Sequence, residues 1–236
     1  MSTYLEQSPP QVSNLKTYKY LIMDGTYIQD RKGVFTVMEG ASYQVIAGRS
    51  SMDENQKSLI SFFKDLAVKG LAPISATVDG NPAIRLALKR IWPDIIIQRC
   101  LVHIRRQGLS WCRHFPTRTD AKYLRSLFLK TAAINNQDEK DQFLQDVHQW
   151  EARFGPAIKT KSERGKVFSD VKRARSMLMS ALPDMFHYLK DPKIPNSTNG
   201  VEGYFGRMKQ RYRHHPGISG SRKNAFFKWH IYLCKR

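Results

Sequence analysis

Three acidic residues occupy positions where protein chains commonly hold a functional carboxylate. Asp24 and Asp79 each end a short apolar run and are each followed by glycine, and Glu202 is the only acid after Asp191. A carboxylate at the end of a buried strand is held on rigid backbone, and ligands of α/β sheets bind at such ends. Glu202 follows an Asn-Ser-Thr segment typical of a helix start, where the helix dipole favours an ionised acid.

Three carboxylates of this kind suit the cleavage of a phosphodiester. Two hard cations about 3.5–4 Å apart activate the nucleophile and neutralise charge on the phosphate and the leaving oxygen, and hard cations prefer oxygen ligands. Each acid also has an ordinary explanation, because Asp-Gly is a common turn and a lone Glu in a basic segment can serve as an ion-pair partner. The residues by themselves leave both interpretations open.

The acids need a scaffold, and the hydrophobic pattern predicts one. Short apolar or β-rich runs predict strands at 19–24, 33–38, 42–47, 73–79 and 94–98, and helical periodicity predicts helices at 53–69 and 82–92. The first three strands form an antiparallel meander in this interpretation. The order of three strands, helix, strand, helix and strand predicts an α/β fold with a mixed sheet covered by helices.

After residue 100 the strand signal disappears and helical patterns dominate. We therefore predict a leader at 1–17, a core made of 18–100 and 196–236, and a helical insertion at 101–195. Residues 191–195 are a Pro-containing linker. The Asn-Ser-Thr segment at 196–198 is expected to cap a helix that runs to about Arg213.

The charge of the chain points to a polyanionic partner. The formal net charge is +19 and the pI is about 10.0. Residues 1–100 hold 12 Lys and Arg against 9 Asp and Glu, whereas residues 101–236 hold 27 against 11. Nucleic acid is the favoured partner, with a generically basic protein as the alternative. The candidate phosphate contacts are Arg105, Arg106, Arg207, Lys209, Arg211 and Arg213, which could instead form solvated basic helix faces.

The three cysteines and the absence of a signal peptide or a long apolar stretch predict a cytoplasmic protein without a membrane partner. Cys100, His103, Cys112 and His114 could be read as a four-ligand zinc site. The second Cys–His pair is spaced too tightly for common zinc folds. We therefore favour buried packing for the cysteines over zinc binding.

Four sequence blocks resemble the Mutator-like superfamily of DDE transposases, and bacterial insertion-sequence members in particular. The blocks are LIMDGTY around Asp24, ATVDGN around Asp79, QRCLVH ending at His103, and STNGVEGYF around Glu202. The resemblance spans about residues 19–229. Any single block is weak, and the four in this order are a specific signal.

The resemblance implies a ribonuclease-H-like fold with a helical insertion between the second Asp and the Glu. It implies that Asp24, Asp79 and Glu202 are the catalytic and metal-binding residues, with two Mg²⁺ ions as cofactor and Mn²⁺ as a substitute. It assigns accessory roles to Cys100 and His103, with His103 helping to position the scissile phosphate. The implied reaction is cleavage at transposon ends followed by attack of the 3′-hydroxyl on target DNA.

The resemblance also implies partners. These are transposon-end and target DNA and further copies of the chain assembled on DNA, with no small-molecule cofactor. Family members usually carry an N-terminal DNA-binding region before the first Asp, and only 23 residues precede Asp24. We therefore expect a catalytic core that lacks this region. The alternative is a truncated, non-catalytic, transposase-derived DNA-binding protein.

Overall fold

The computed structural model describes residues 7, 9–10, 14–29, 32–160, 165–215, 217–218 and 220–235. The chain divides into two compact units, one made of Met1–Gln98 and Lys193–Arg236 and the other of Arg99–Pro192. Much of the predicted leader at 1–17 lies outside the described residues.

A mixed sheet is the centre of the first unit. Its strands are β1 (Tyr20–Gln29), β2 (Lys32–Glu39), β3 (Val45–Met52), β4 (Ser75–Val78) and β5 (Ile96–Arg99), in the spatial order β3-β2-β1-β4-β5. β1 pairs antiparallel with β2 and parallel with β4, and β2 pairs antiparallel with β3. β1 is therefore central and flanked by one antiparallel and one parallel neighbour.

Eight α-helices lie within the described residues. They are α1 (Gln56–Val68), α2 (Pro82–Ile91), α3 (Leu101–Cys112), α4 (Thr119–Lys130), α5 (Gln137–Thr160), α6 (Lys166–Ala181), α7 (Asn199–Arg213) and α8 (Gly220–Leu233). None of the helices in these residues is both long enough and apolar enough to cross a membrane.

β1 is buried on both sides, because helices cover both faces of the sheet. Leu21 and Met23 point into a core shared with α1 and α2, and Ile22 points into a second core shared with α7 and α8. This alternation is the two-residue period of a strand. It decides which face each functional side chain of β1 reaches.

The second unit has a core of its own, built from α3, α4, α5 and α6. Trp150 is fully buried there, and its indole N–H donates to the Asp120 carbonyl at 2.9 Å. Gly108 of α3 lies so close to Phe128 that an added Cβ would come within 2.3 Å of the ring. The close approach of these two helices explains glycine at this position.

The strand order, the flanking helices and the helical segment between α2 and α7 confirm the predicted α/β, ribonuclease-H-like fold. Several predicted boundaries were wrong. β1 continues past Asp24 to Gln29 because it pairs with β2 as far as Gln29, with a register shift between Tyr27 and Gln29. β3 begins at Val45, because the Glu39 carboxylate accepts the N–H groups of the following residues and stabilises a turn there.

Candidate metal centre

Asp24 lies where β1 stops pairing with β4. The parallel pairing runs from Tyr20 opposite Ser75 to Ile22 opposite Thr77, and Asp24 follows Ile22 by two residues. Its side chain therefore points to the same sheet face as Ile22, which is the face covered by α7 and α8. Asp24 is only 8 % exposed, and its Oδ1 accepts the Gly25 N–H at 2.8 Å. The carboxylate is thus buried and held in place.

Asp79 occupies the equivalent position on the neighbouring strand. It follows the end of β4 directly and lies two residues beyond Thr77. Its Oδ1 accepts the Asn81 N–H at 2.8 Å, and the Asn81 side chain in turn caps α2 by accepting the Ala83 N–H at 2.9 Å. This short turn holds Asp79 at the end of the sheet where Asp24 also lies.

Glu202 is in the first turn of α7, at the positive end of the helix dipole. Its N–H donates to the Thr198 carbonyl at 3.1 Å. The position of this turn depends on Gly200, because an added Cβ there would lie 2.3 Å from Cδ1 of Tyr43. Glycine lets α7 begin close to the β2–β3 connection and places Glu202 over the sheet.

The structure brings Asp24 and Glu202 together. One carboxylate oxygen of each residue lies within 4.8 Å of the other. A single cation with oxygen ligands at about 2.0–2.6 Å spans a gap of this size. Within the described residues, Asp79 does not share this mutual spacing with the other two acids. Its assignment as a metal ligand stays a prediction.

Glu54 is an additional acid at this place, and sequence reasoning missed it. Its Oε2 accepts a long hydrogen bond of 3.4 Å from the Asn81 side chain. Its Oε1 is buried and has no hydrogen-bond partner among the described residues. Burial, and then the negative charge of Asp79, raise the pKa of the Glu54 carboxyl. A buried oxygen without a donor, next to another carboxylate, fits a site for a hard divalent cation.

Glu54 was not among the predicted site residues, because the sequence predicts that residues 53–69 form one helix. The helix α1 begins instead at Gln56, and the Asn55 side chain caps it by accepting the Ser58 N–H at 2.9 Å. Glu54 therefore lies in the connection before the helix. The nearest sequence signal was the glycine after Asp24, which leaves room for the side chain of a residue distant in sequence.

The predicted accessory residues belong to the second unit. Cys100 is fully buried and precedes α3, and His103 is half-buried in the first turn of that helix. Their accessory roles, and the role of His103 in positioning the scissile phosphate, stay predictions that rest on the family resemblance.

The geometry of α3 argues against the four-ligand zinc site. Cys100 and Cys112 lie at opposite ends of the helix, 12 positions apart (112 − 100), which corresponds to roughly 18 Å at the helical rise. One tetrahedral ion cannot bind both. Burial also raises the pKa of the Cys112 thiol to about 12, so that it is neutral at physiological pH.

The basic residues predicted to contact DNA are largely accessible. Arg105 and Arg106 are exposed on α3, and the remaining four lie on α7. At about 100° per residue, Lys209 and Arg213 lie within about 20° of Glu202 around the helix axis. By the same geometry Arg207 and Arg211 face away from Glu202, and the Arg211 guanidinium contacts the Cys234 sulfur at 2.6 Å. DNA contact by these residues stays a prediction.

A family model described as "Transposase, Mutator family" matches residues 12–172. The matched segment includes Asp24, Asp79, Cys100 and His103 and ends before Glu202. Comparison with curated proteins gave no match. The family match covers about two thirds of the 236 residues and confirms the resemblance found in the sequence, and the chain therefore belongs to the Mutator family of transposases.

Proposed function

We propose that this transposase is of the DDE type, and that Asp24, Asp79 and Glu202 are its metal-binding carboxylates. The observation that carries the proposal is the approach of the Asp24 and Glu202 carboxylates to within 4.8 Å. Asp24 lies on a central strand and Glu202 on a helix that packs against it. The register of β1 and β4 supports Asp79 as the third member, because it lies at the same strand end as Asp24.

Each carboxylate of this site has its own role in the proposed cleavage of a phosphodiester. Two Mg²⁺ ions, or Mn²⁺ in their place, would activate the nucleophile and stabilise the leaving oxygen. Asp24 is buried on rigid backbone and holds its carboxylate in one orientation. Glu202 is held in the first turn of α7, and the turn after β4 holds Asp79 as the third carboxylate.

Two displacements at phosphorus make up the proposed reaction. In the first, water attacks a phosphorus atom at the transposon end, the bond from phosphorus to the 3′-oxygen breaks, and that oxygen leaves as a 3′-hydroxyl. In the second, the 3′-oxygen attacks a target phosphorus, its proton passes to solvent, and the target 3′-oxygen leaves as a new hydroxyl. Both steps place charge on the phosphate where the acids would hold cations.

DNA is the proposed partner in both steps. The net charge of +19 supports this, and so do Lys209 and Arg213, the cations on the same face of α7 as Glu202. We expect transposon ends and target DNA to bind with several copies of the chain assembled on them. Cys100 and His103 are proposed accessory residues on the strength of the family resemblance.

The test is strand transfer in Mg²⁺ with a duplex that carries the element's own end. An end with a 3′-hydroxyl should join to a target plasmid, whereas a 3′-deoxy end should not. Joining should stop with a chelator and with Asp24→Asn. DNA binding without cleavage or joining by the wild-type chain would contradict the proposal and favour a non-catalytic DNA-binding protein.

A further inference from the structure

Glu54 reaches the sheet next to Asp24, from the opposite face. Gly25 pairs with Phe35, which belongs to the core under α1 and α2, so position 25 faces that core. A Cβ at position 25 would come within 1.9 Å of Glu54 Oε1. The Glu54 carboxylate therefore fills the space that a side chain at position 25 would take.

The same carboxylate is linked to the end of β4. Its Oε2 accepts from the Asn81 side chain, and the Asn81 N–H donates to Asp79. After burial, the negative charge of Asp79 is the second cause of the raised pKa of the Glu54 carboxyl. Glu54 thus lies between the two strand ends that carry Asp24 and Asp79.

This arrangement leaves negative charge uncompensated. Glu54 forms no ion pair with Lys or Arg in the part of the chain that the structure describes, and its Oε1 is buried without a donor. A buried acid beside another acid is costly unless a cation or several donors compensate it. A long hydrogen bond from one amide does not supply that compensation.

We propose that Glu54 is a fourth metal-binding carboxylate of this site, and that it helps Asp79 to bind a divalent cation. The inference rests on the proposed function, since it assigns a further ligand to the same metal centre. This role explains glycine at position 25, because any side chain there would displace the Glu54 carboxylate. Asn81 orients Glu54 toward Asp79 by its hydrogen bond.

The experiment measures Mn²⁺ binding to the full chain without DNA, by calorimetry and by the rise in melting temperature. Glu54→Gln keeps the shape of the side chain and removes its charge. Asp53→Asn is the matched control, because it removes one negative charge from the adjacent, exposed residue. Asp24→Asn tests the proposed site independently of Glu54.

Glu54→Gln should weaken Mn²⁺ binding at least about 10-fold, the lower end of the loss seen when groups supporting a metal are removed. It should also raise the melting temperature of the metal-free protein, because it removes a half-buried negative charge that no cation among the described residues compensates. Asp53→Asn should change affinity less than about 3-fold, since an exposed charge is screened by solvent. Unchanged Mn²⁺ affinity in Glu54→Gln, with a loss in Asp24→Asn, would overturn this inference and leave the proposed function standing. No Mn²⁺ binding by the wild-type chain would overturn both.

A double-mutant cycle covers the case in which Glu54→Gln perturbs folding. Gly25→Ala should displace the Glu54 carboxylate and weaken Mn²⁺ binding, whereas in a Glu54→Ala background it should add little. Strong coupling between the two changes supports the inference. Additive effects would overturn it, because Gly25 would then act without Glu54.

Discussion

Asp24 and Glu202 are 178 positions apart in sequence (202 − 24), and their carboxylate oxygens lie within 4.8 Å of each other. The contact is produced by packing of α7 on the sheet. Val201 and Tyr204 of the helix are buried against Ile22 of β1 in one core. The apolar residues beside Glu202 therefore direct its carboxylate toward Asp24.

The start of α7 should tolerate no side chain at position 200. Gly200→Ala should lower the free energy of unfolding by about 1–3 kcal/mol, because its Cβ would lie 2.3 Å from Tyr43. It should also reduce DNA cleavage, since Glu202 shifts with the helix. Urea denaturation and a cleavage assay measure the two effects.

The control for this prediction is Tyr43→Gly in the Gly200→Ala background. It removes the clashing ring, and glycine suits the positive φ of 55° at position 43. Stability and cleavage should both recover in part. A double variant no better than Gly200→Ala would show that the loss has another origin.

The cations of α7 should contribute unequally to DNA binding. Lys209 and Arg213 share the helix face of Glu202, so Lys209→Gln with Arg213→Gln should reduce the salt slope of DNA affinity by about 2. The matched pair Arg207→Gln with Arg211→Gln should reduce it by less than 1. Binding of a duplex across a range of salt concentrations measures both slopes, and equal slopes would contradict the orientation of α7 described above.

His230 should make the folded state sensitive to acid. Burial lowers the pKa of His230 to about 4, and the charges of Arg211 and Arg207 act in the same direction. The unfolded chain therefore binds more protons at this group below about pH 6.5. The contribution to stability is complete above that pH and is lost as the pH falls toward 4.

The measurement is urea denaturation between pH 4.5 and 7.5, compared with His230→Phe. Phenylalanine keeps an aromatic ring beside Tyr204 and Phe226 and has no proton to bind. The wild-type protein should lose about 1–3 kcal/mol more than the variant over this range. Identical pH profiles would contradict a lowered pKa.

The purified protein should contain no stoichiometric zinc. Cys100 and Cys112 lie at opposite ends of α3, and no single ion can bridge them. Elemental analysis of the chain after purification without chelators checks this. One zinc ion per chain would contradict the preference for buried packing of the cysteines over zinc binding.

The order of strands and helices could be predicted from the sequence, because that order depends on local hydrophobic patterns. The apolar runs before Asp24 and Asp79 are strands, and Pro82 marks a helix start, as predicted. The lengths of the strands could not be predicted as well from the sequence, because β1 extends past Asp24 only through its pairing with β2. Pairing partners are set by tertiary structure and leave no local signal.

The candidate site could be predicted only in part for the same reason. Asp24, Asp79 and Glu202 stand in recognisable blocks, whereas Glu54 has no motif and gains its position from the missing side chain of Gly25. The four cations of α7 looked equivalent in sequence. Helix geometry and the packing of α7 on the sheet divide them into two faces.

The most direct test of the proposed metal centre is a cleavage assay in Mg²⁺ on DNA that carries the element's end. It compares Asp24→Asn, Glu202→Gln and the double variant with the wild-type chain. Residues that hold one centre act as a unit, so each single change should reduce the rate of cleavage at least about 1,000-fold and the double variant should be no slower than either. Cleavage that survives either single change, or losses that multiply in the double variant, would contradict the account.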